Sequence, residues 1–289
     1  MTPLAAAPFV REAGAGAPDG VVCVHSNAAS SSQWRTLLER LAPRFHMLAP
    51  DSYGSGKTSP WSAGRPMTLA DEVALIAPVL ARAGDAAHGS LTLVGHSYGA
   101  AVCLMAALRQ GGRRVGALVL YEPTLFALLA GADPEDALPE DAARGIGETV
   151  ERAVAALGAG DPDAAARVFI DYWMDDGAWA AMPEPRRAPI RASVAQIRHW
   201  SHALMREPTP RAAFAAIDVP VLLMVGDASP LSSRAVARVL ARTLPRVEVI
   251  EFAGLGHMAP VTHADVVNDA IAAFVERHGA SSSAPLSRG

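Results

Sequence analysis

The sequence predicts an α/β fold: a mostly parallel sheet flanked by helices, with one helical cap inserted between two strands. Three observations carry that reading. Short β-branched runs alternate with Ala- and Leu-rich segments of helical period, the order that a parallel sheet with crossover helices requires. The strand-like runs are nearly continuous in hydrophobicity, as strands buried on both faces must be. The alternation breaks once, over residues 124–211, where helical segments follow one another with no strand-like run between them.

Taken in order, residues 21–25, 45–49, 91–95, 115–121, 219–225 and 247–252 read as strands. Residues 32–41, 68–83, 98–110, 232–243 and 262–278 place apolar side chains at helical spacing between them. Thr68 followed by Asp71 and Glu72 is a helix-start signature, and Gly84, Gly111 and Gly279 supply stops. Within the break, residues 146–157, 163–174 and 190–205 read as helices separated by Pro and Gly. The expected organisation is therefore a core from residues 1–123 and 212–279, a cap over 124–211, and a Ser/Ala/Pro-rich disordered tail at 280–289. The stretch that includes the cap is rich in aromatics: Phe126, Phe169, Tyr172, Trp173, Trp179, Trp200 and Phe214. Such rings suit the ceiling of an apolar pocket or the cap's own core.

Composition narrows the function classes. With 51% hydrophobic and 19% charged residues in a chain of 289, intrinsic disorder is excluded, and two cysteines cannot make a disulfide framework. A net charge of -4 with scattered basic residues leaves no footprint for nucleic acid, so a small, mostly apolar molecule is the expected partner. The longest apolar stretch, residues 91–108, is interrupted by Gly95, His96, Ser97 and Gly99, and no membrane span is expected. Residues 1–10 lack a basic leader and an apolar run, which points to the cytoplasm. Cys23 and Cys103 lie in apolar runs and read as small buried hydrophobes.

The chemistry concentrates at Gly95, His96, Ser97, Tyr98 and Gly99, a G-x-S-x-G run placed where a strand ends and an Ala-rich helix begins. A strand that turns sharply into a helix strains the central residue, and side chains at 95 and 99 would collide with neighbouring elements. Ser97 is thereby presented at the carboxyl edge of the sheet, beside a helix N-terminus that favours developing negative charge. A serine hydroxyl is a weak nucleophile and needs a base within hydrogen-bond reach. His257, in the loop after the last strand-like run, reaches the same edge, whereas His88, His263 and His278 fall on helices or helix ends. His96, inside the run, points away from the nucleophile by alternation.

These residues resemble the α/β-hydrolase superfamily over residues 21–277. Its marks stand in order: residues 22–26 leading to an oxyanion turn, then Pro50, Asp51 and Gly54, the Ser97 run, the cap, and Gly254, Leu255, Gly256 and His257. The resemblance implies a serine nucleophile, His257 as base, and an oxyanion held by the backbone N–H groups of Tyr98 and Asn27. It needs no cofactor and no metal. Two departures stand out. The turn reads His25, Ser26, Asn27, Ala28 where His-Gly is usual. The acid that many relatives carry three residues after the glycine ending the penultimate strand is replaced by Ser229, which follows Gly226, Asp227 and Ala228. Asp227 from a shifted position, or Glu122 at the end of the run 115–121, could supply the acid, as could neither.

Three other patterns are set aside. Gly54, Ser55, Gly56, Lys57 and Thr58 mimic the end of a phosphate-binding loop, but its first glycine would fall on Asp51, a repelling carboxylate. His199 and His202 lack partners at metal-ligand spacing, and Arg186, Arg187 and Arg191 read as a solvated helix face. The expected activity is hydrolysis of an ester, thioester or related acyl bond of a small, apolar substrate through an acyl-enzyme on Ser97. Carbon–carbon bond hydrolysis or lyase chemistry at the same site is the alternative within enzymes. A non-catalytic receptor for a small molecule, lacking its acid, is the alternative outside them.

Overall fold

The computed structural model describes residues 7–83, 90–110, 115–131 and 133–279. The expected stops at Gly84 and Gly111, His88 and the 280–289 tail lie outside them. Among the described residues one seven-stranded sheet is built from β1 (Val10–Ala13), β2 (Gly20–Val24), β3 (His46–Pro50), β4 (Leu91–His96), β5 (Val115–Tyr121), β6 (Val221–Gly226) and β7 (Val247–Phe252). Their order is β1-β3-β2-β4-β5-β6-β7, with β1 antiparallel to β3 and every other pair parallel. β1 went unread in the sequence because its four residues, Val-Arg-Glu-Ala, include two charges and belong to a half-exposed edge. At the other edge, β7 carries Glu248 and Glu251 and is only partly buried, so the near-continuous hydrophobicity holds for the central strands and not for this one.

The central strands divide their side chains by the two-residue period. Val22, Val24, Leu93, Leu118, Leu120 and Leu223 face one layer, formed by α2 (Leu69–Ala83), α3 (Tyr98–Gln110) and α9 (Leu231–Thr243). Val21, Cys23, Val94, Ala117, Val119 and Leu222 face the other, formed by α1 (Arg35–Leu41) and α11 (Ala264–His278). Two expected helices are each split. A 3₁₀ turn, Ser31–Trp34, precedes α1, and a short α10 (Ala259–Thr262) breaks from α11 at His263. Both cysteines are free and buried, and burial pushes both thiols up.

The segment between β5 and β6 holds α4 (Arg144–Gly158), α5 (Pro162–Met174), α6 (Ala178–Ala181), α7 (Glu184–Val194) and α8 (Ile197–Met205). The expected single helix over 190–205 is two, broken at Ala195 and Gln196. No helix among the described residues is long and apolar enough to cross a membrane.

The register of the sheet determines which loops meet. His96 pairs with Tyr121, Tyr121 with Met224, and Gly226 with Phe252, so the residues following β4, β5, β6 and β7 emerge along one edge. β2 pairs with both β3 and β4, and the chain changes direction across the sheet there, which opens a crevice at the carboxyl ends of β2 and β4.

Behind that crevice α2 and α3 bury a carboxyl group. Glu72 Oε1 accepts the Tyr53 N–H at 3.3 Å, and the buried Tyr98 hydroxyl neighbours the carboxyl group. Burial pushes the Glu72 carboxyl from an ordinary 4.5 up to about 8, against a smaller downward pull from Tyr98 and the Tyr53 N–H. Between those two values the native protein keeps a proton that the unfolded chain releases, so stability falls as pH rises through the window and levels off above it. Denaturant titrations at pH 5 and pH 8 will show the wild type losing about 2 kcal/mol or more relative to Glu72→Gln. Parallel losses in the two proteins would contradict the burial of a protonated carboxyl at this position.

Candidate active site

β4 ends at His96 and α3 begins at Tyr98, so Ser97 alone makes the turn, at a left-handed φ of 57°. A non-glycine residue held there costs about 1–3 kcal/mol, and the surroundings enforce it. The Ser97 N–H donates to Tyr121 O at 2.8 Å, and Ser97 O accepts from Ala100 and Ala101 at 3.0 and 3.1 Å. Both flanking glycines are required sterically. A Cβ at Gly95 would stand 2.5 Å from Ala100 Cα, and one at Gly99 would stand 2.2 Å from Val24 O.

Three side chains from three strand ends form a continuous line. His257 follows β7, is 1% exposed, and approaches Ser97 Oγ through Nε2 at 2.9 Å and Glu122 Oε2 through Nδ1 at 2.6 Å. A carboxylate oxygen only accepts, so Nδ1 carries the proton and the Nε2 lone pair faces the serine hydroxyl, which donates. Glu122 leaves β5 with a φ of 43°, its N–H donating to Met224 O at 3.0 Å. Its second oxygen, Oε1, accepts the Gly226 N–H at 2.7 Å and the Ser229 hydroxyl at 2.5 Å. The carboxyl group is fully buried. Ser229 therefore does not leave the imidazole without an acid. It holds the acid that arrives from the neighbouring strand.

Asp227 is not brought to His257. Its Oδ1 accepts the Gly254 N–H at 2.6 Å and shapes the turn after β7, where Gly254 has a φ of 70°. Asn27 lies with Ser97 on the wall of one cavity. Neither its N–H nor that of Tyr98 has an acceptor among the described residues, and the following residue, Ala28, has a φ of 56°.

Several supports were not visible in the sequence. The Ser26 hydroxyl and N–H both donate to Gln33 Oε1, at 3.1 and 3.2 Å, and Gln33 Nε2 donates to His96 Nδ1 at 3.0 Å. His96 Nε2 then donates to His257 O at 2.9 Å. Burial holds the His96 imidazole well below its usual range, which keeps it neutral and able to play both parts. The Tyr121 hydroxyl donates to Gly256 O at 2.9 Å, fixing the same loop. From α5, Trp173 stacks on the His257 ring with centroids 4.0 Å apart and planes at 30°. No periodicity marks Trp173 as different from the other aromatic residues of its segment. Trp179 and Phe214 are buried as core, whereas Phe169 and Trp173 line the cavity beside Ser97.

That cavity encloses about 450 Å³ and has mostly apolar walls, including Ile170, Met174, Ile190 and Met258. The patterns set aside in the sequence have structural occupations. Asp51 accepts the N–H groups of Ser31 and Lys57 at 2.6 and 2.9 Å, so the glycine-rich loop after β3 wraps a carboxylate. A Cβ at Gly56 would fall 2.1 Å from Asp51 Oδ2. His202 Nδ1 donates to Met67 O at 3.0 Å.

Residues 21–270 match the α/β hydrolase family, and the chain belongs to it. It is 29% identical over 265 residues to Lipase LipV of Mycobacterium tuberculosis, covering 87% of this chain and 91% of that protein. It is 27% identical over 276 residues to the 2-(acetamidomethylene)succinate hydrolase of Mesorhizobium japonicum, covering 92% and 91% of the two chains. Among solved structures, an α/β hydrolase from Sphaerobacter thermophilus matches with a TM-score of 0.63 and 25% identity, over 90% of this chain and 95% of that one. The chain is an enzyme of the α/β hydrolase type.

The short Nδ1 contact has a spectroscopic consequence. The His257 Nδ1 proton will resonate far downfield in a proton NMR spectrum of the wild type and of Asp227→Asn, and will be absent in Glu122→Ala. Persistence of the resonance in Glu122→Ala would assign the imidazole a different partner.

Proposed function

We propose that the protein is a serine hydrolase that cleaves an ester, thioester or related acyl bond of a small, largely apolar substrate through an acyl-enzyme on Ser97. The observation that carries this reading is the continuous line Ser97 Oγ, His257 Nε2, His257 Nδ1, Glu122 Oε2, with contacts of 2.9 and 2.6 Å. The substrate carbonyl sits over Ser97 with its oxygen toward the N–H groups of Tyr98 and Asn27. As Oγ attacks, its proton passes to His257 Nε2, the new C–O bond forms, and the carbonyl electron pair moves onto the oxyanion. Each oxyanion donor is worth about 3 kcal/mol of transition-state stabilisation. The imidazolium is stabilised by Glu122 and then returns the proton to the leaving oxygen or sulfur as that bond breaks. Water, deprotonated by the same imidazole, attacks the acyl-enzyme and frees Ser97 and the carboxylic acid.

The helices between β5 and β6 act as a cap in this scheme. Phe169, Ile170 and Trp173 exclude water from the acyl group and strengthen the electrostatics around it. A relative named lipase and a relative named hydrolase, both matched over most of their length, support bond hydrolysis as the reaction class.

Turnover of p-nitrophenyl esters tests the roles. Ser97→Ala abolishes it. Glu122→Gln keeps the fold but releases the imidazole tautomer, and kcat falls by roughly 10³–10⁴. Asp227→Asn changes it by less than about 3-fold, since its carboxyl group serves a turn outside the line. A Glu122→Gln protein that is folded and near full activity would overturn the assignment of the acid.

A further inference from the structure

α7 carries three arginines whose surroundings differ. Arg187 pairs with Glu184 at 3.2 Å, and Arg191 pairs with Asp163 at 2.8 Å and Glu184 at 3.2 Å; both guanidinium groups also lie over the Trp179 ring. The side chain of Arg186 has no ion pair, hydrogen bond or ring contact among the described residues. Helical geometry explains the division. Glu184 is two residues from Arg186, a spacing that sends the two side chains to different sides of the helix. Arg186 instead shares a stripe of α7 with Ile190, four residues on, and both line the cavity that holds Ser97 and His257, beside Met182 from the segment that precedes the helix. The stripe is otherwise apolar, and Arg186 is the one Lys, Arg, Asp or Glu side chain lining that cavity among the described residues. A fixed positive charge thus stands at the rim of an apolar chamber with no protein counter-ion.

We propose that Arg186 determines substrate specificity by pairing with a carboxylate at the end of the substrate remote from the scissile acyl bond. This rests on the serine-hydrolase reading above and narrows it to monoesters, or monothioesters, of dicarboxylic acids and their analogues. The planar guanidinium matches both oxygens of a carboxylate, and the apolar walls between Arg186 and Ser97 accommodate the connecting chain. The charge acts on binding of the ground state and the transition state alike, so it lowers KM more than it raises kcat. It is also screened by salt, because Arg186 remains exposed.

The test compares p-nitrophenyl monoesters of dicarboxylic acids with p-nitrophenyl alkanoates of equal chain length, in the wild type, Arg186→Gln and Arg186→Glu. The ratio of kcat/KM for the anionic to the neutral ester will fall by roughly 3- to 10-fold in Arg186→Gln and further in Arg186→Glu. The fall will lie mainly in KM, and the wild-type ratio will itself decline as ionic strength rises. Thermal melting of each variant verifies that it is folded. A ratio that is the same in all three proteins overturns the proposal. Labelling of Ser97 with a fluorophosphonate separates this failure from the other: a labelled serine with a charge-blind ratio removes only the role of Arg186. An unlabelled serine with neither ester series hydrolysed removes the serine-hydrolase reading, and this proposal with it.

Discussion

His257 Nδ1 can donate its proton in one direction, and a buried carboxyl group from a different strand occupies it. The other features of the site follow from that 2.6 Å contact. With Nδ1 protonated, Nε2 must accept, and the serine hydroxyl 2.9 Å away is the donor available to it. A carboxyl group is costly to remove from water unless its oxygens are satisfied, and Glu122 spends both. One holds the imidazole, while the other is fixed by the Gly226 N–H and the Ser229 hydroxyl. The parallel register of β5 and β6 makes this possible, because Tyr121 pairs with Met224 and thereby sets Glu122 beside the end of β6. A residue of ordinary backbone conformation would continue the strand. The left-handed φ at Glu122 bends the chain so that the side chain reaches the imidazole.

The imidazole is also held from its other sides. The chain from Ser26 through Gln33 and His96 ties the turn after β2 to the carbonyl of His257, so the unengaged donor at Asn27 and the base share one hydrogen-bonded support. Trp173 covers the ring from the inserted helices. On the proposed function, movement of α5 would uncover the imidazole and open the cavity together.

Much of this was legible in the residues. The strand-to-helix placement of Gly95, Ser97 and Gly99 requires a tight turn for steric reasons, and the structure shows the collisions that each added side chain would cause. The central strands were legible because burial on both faces imposes continuous hydrophobicity, and the edge strand β1 was missed because an edge imposes little. The carboxyl partner of His257 was legible only as open alternatives: Asp227, Glu122 or neither. Asp227 and Glu122 both follow strand ends, and choosing between them requires knowing which way each backbone turns, a property set by β5–β6 pairing over a hundred residues of intervening chain. The arginines of α7 carry the same lesson. Their spacing describes a charged helix face, but which of them meets an acid and which meets a cavity depends on where Asp163 and the apolar stripe lie in space.

In the proposed mechanism the serine oxygen becomes covalently bonded to the acyl group during turnover. Intact-mass measurement of enzyme quenched during steady-state hydrolysis of a slow ester, followed by peptide mapping, observes that bond directly. The expected result is a mass increase equal to the acyl group, located on the peptide that contains Ser97 and lost when the substrate is exhausted. Steady hydrolysis with an acyl group on another residue would contradict it.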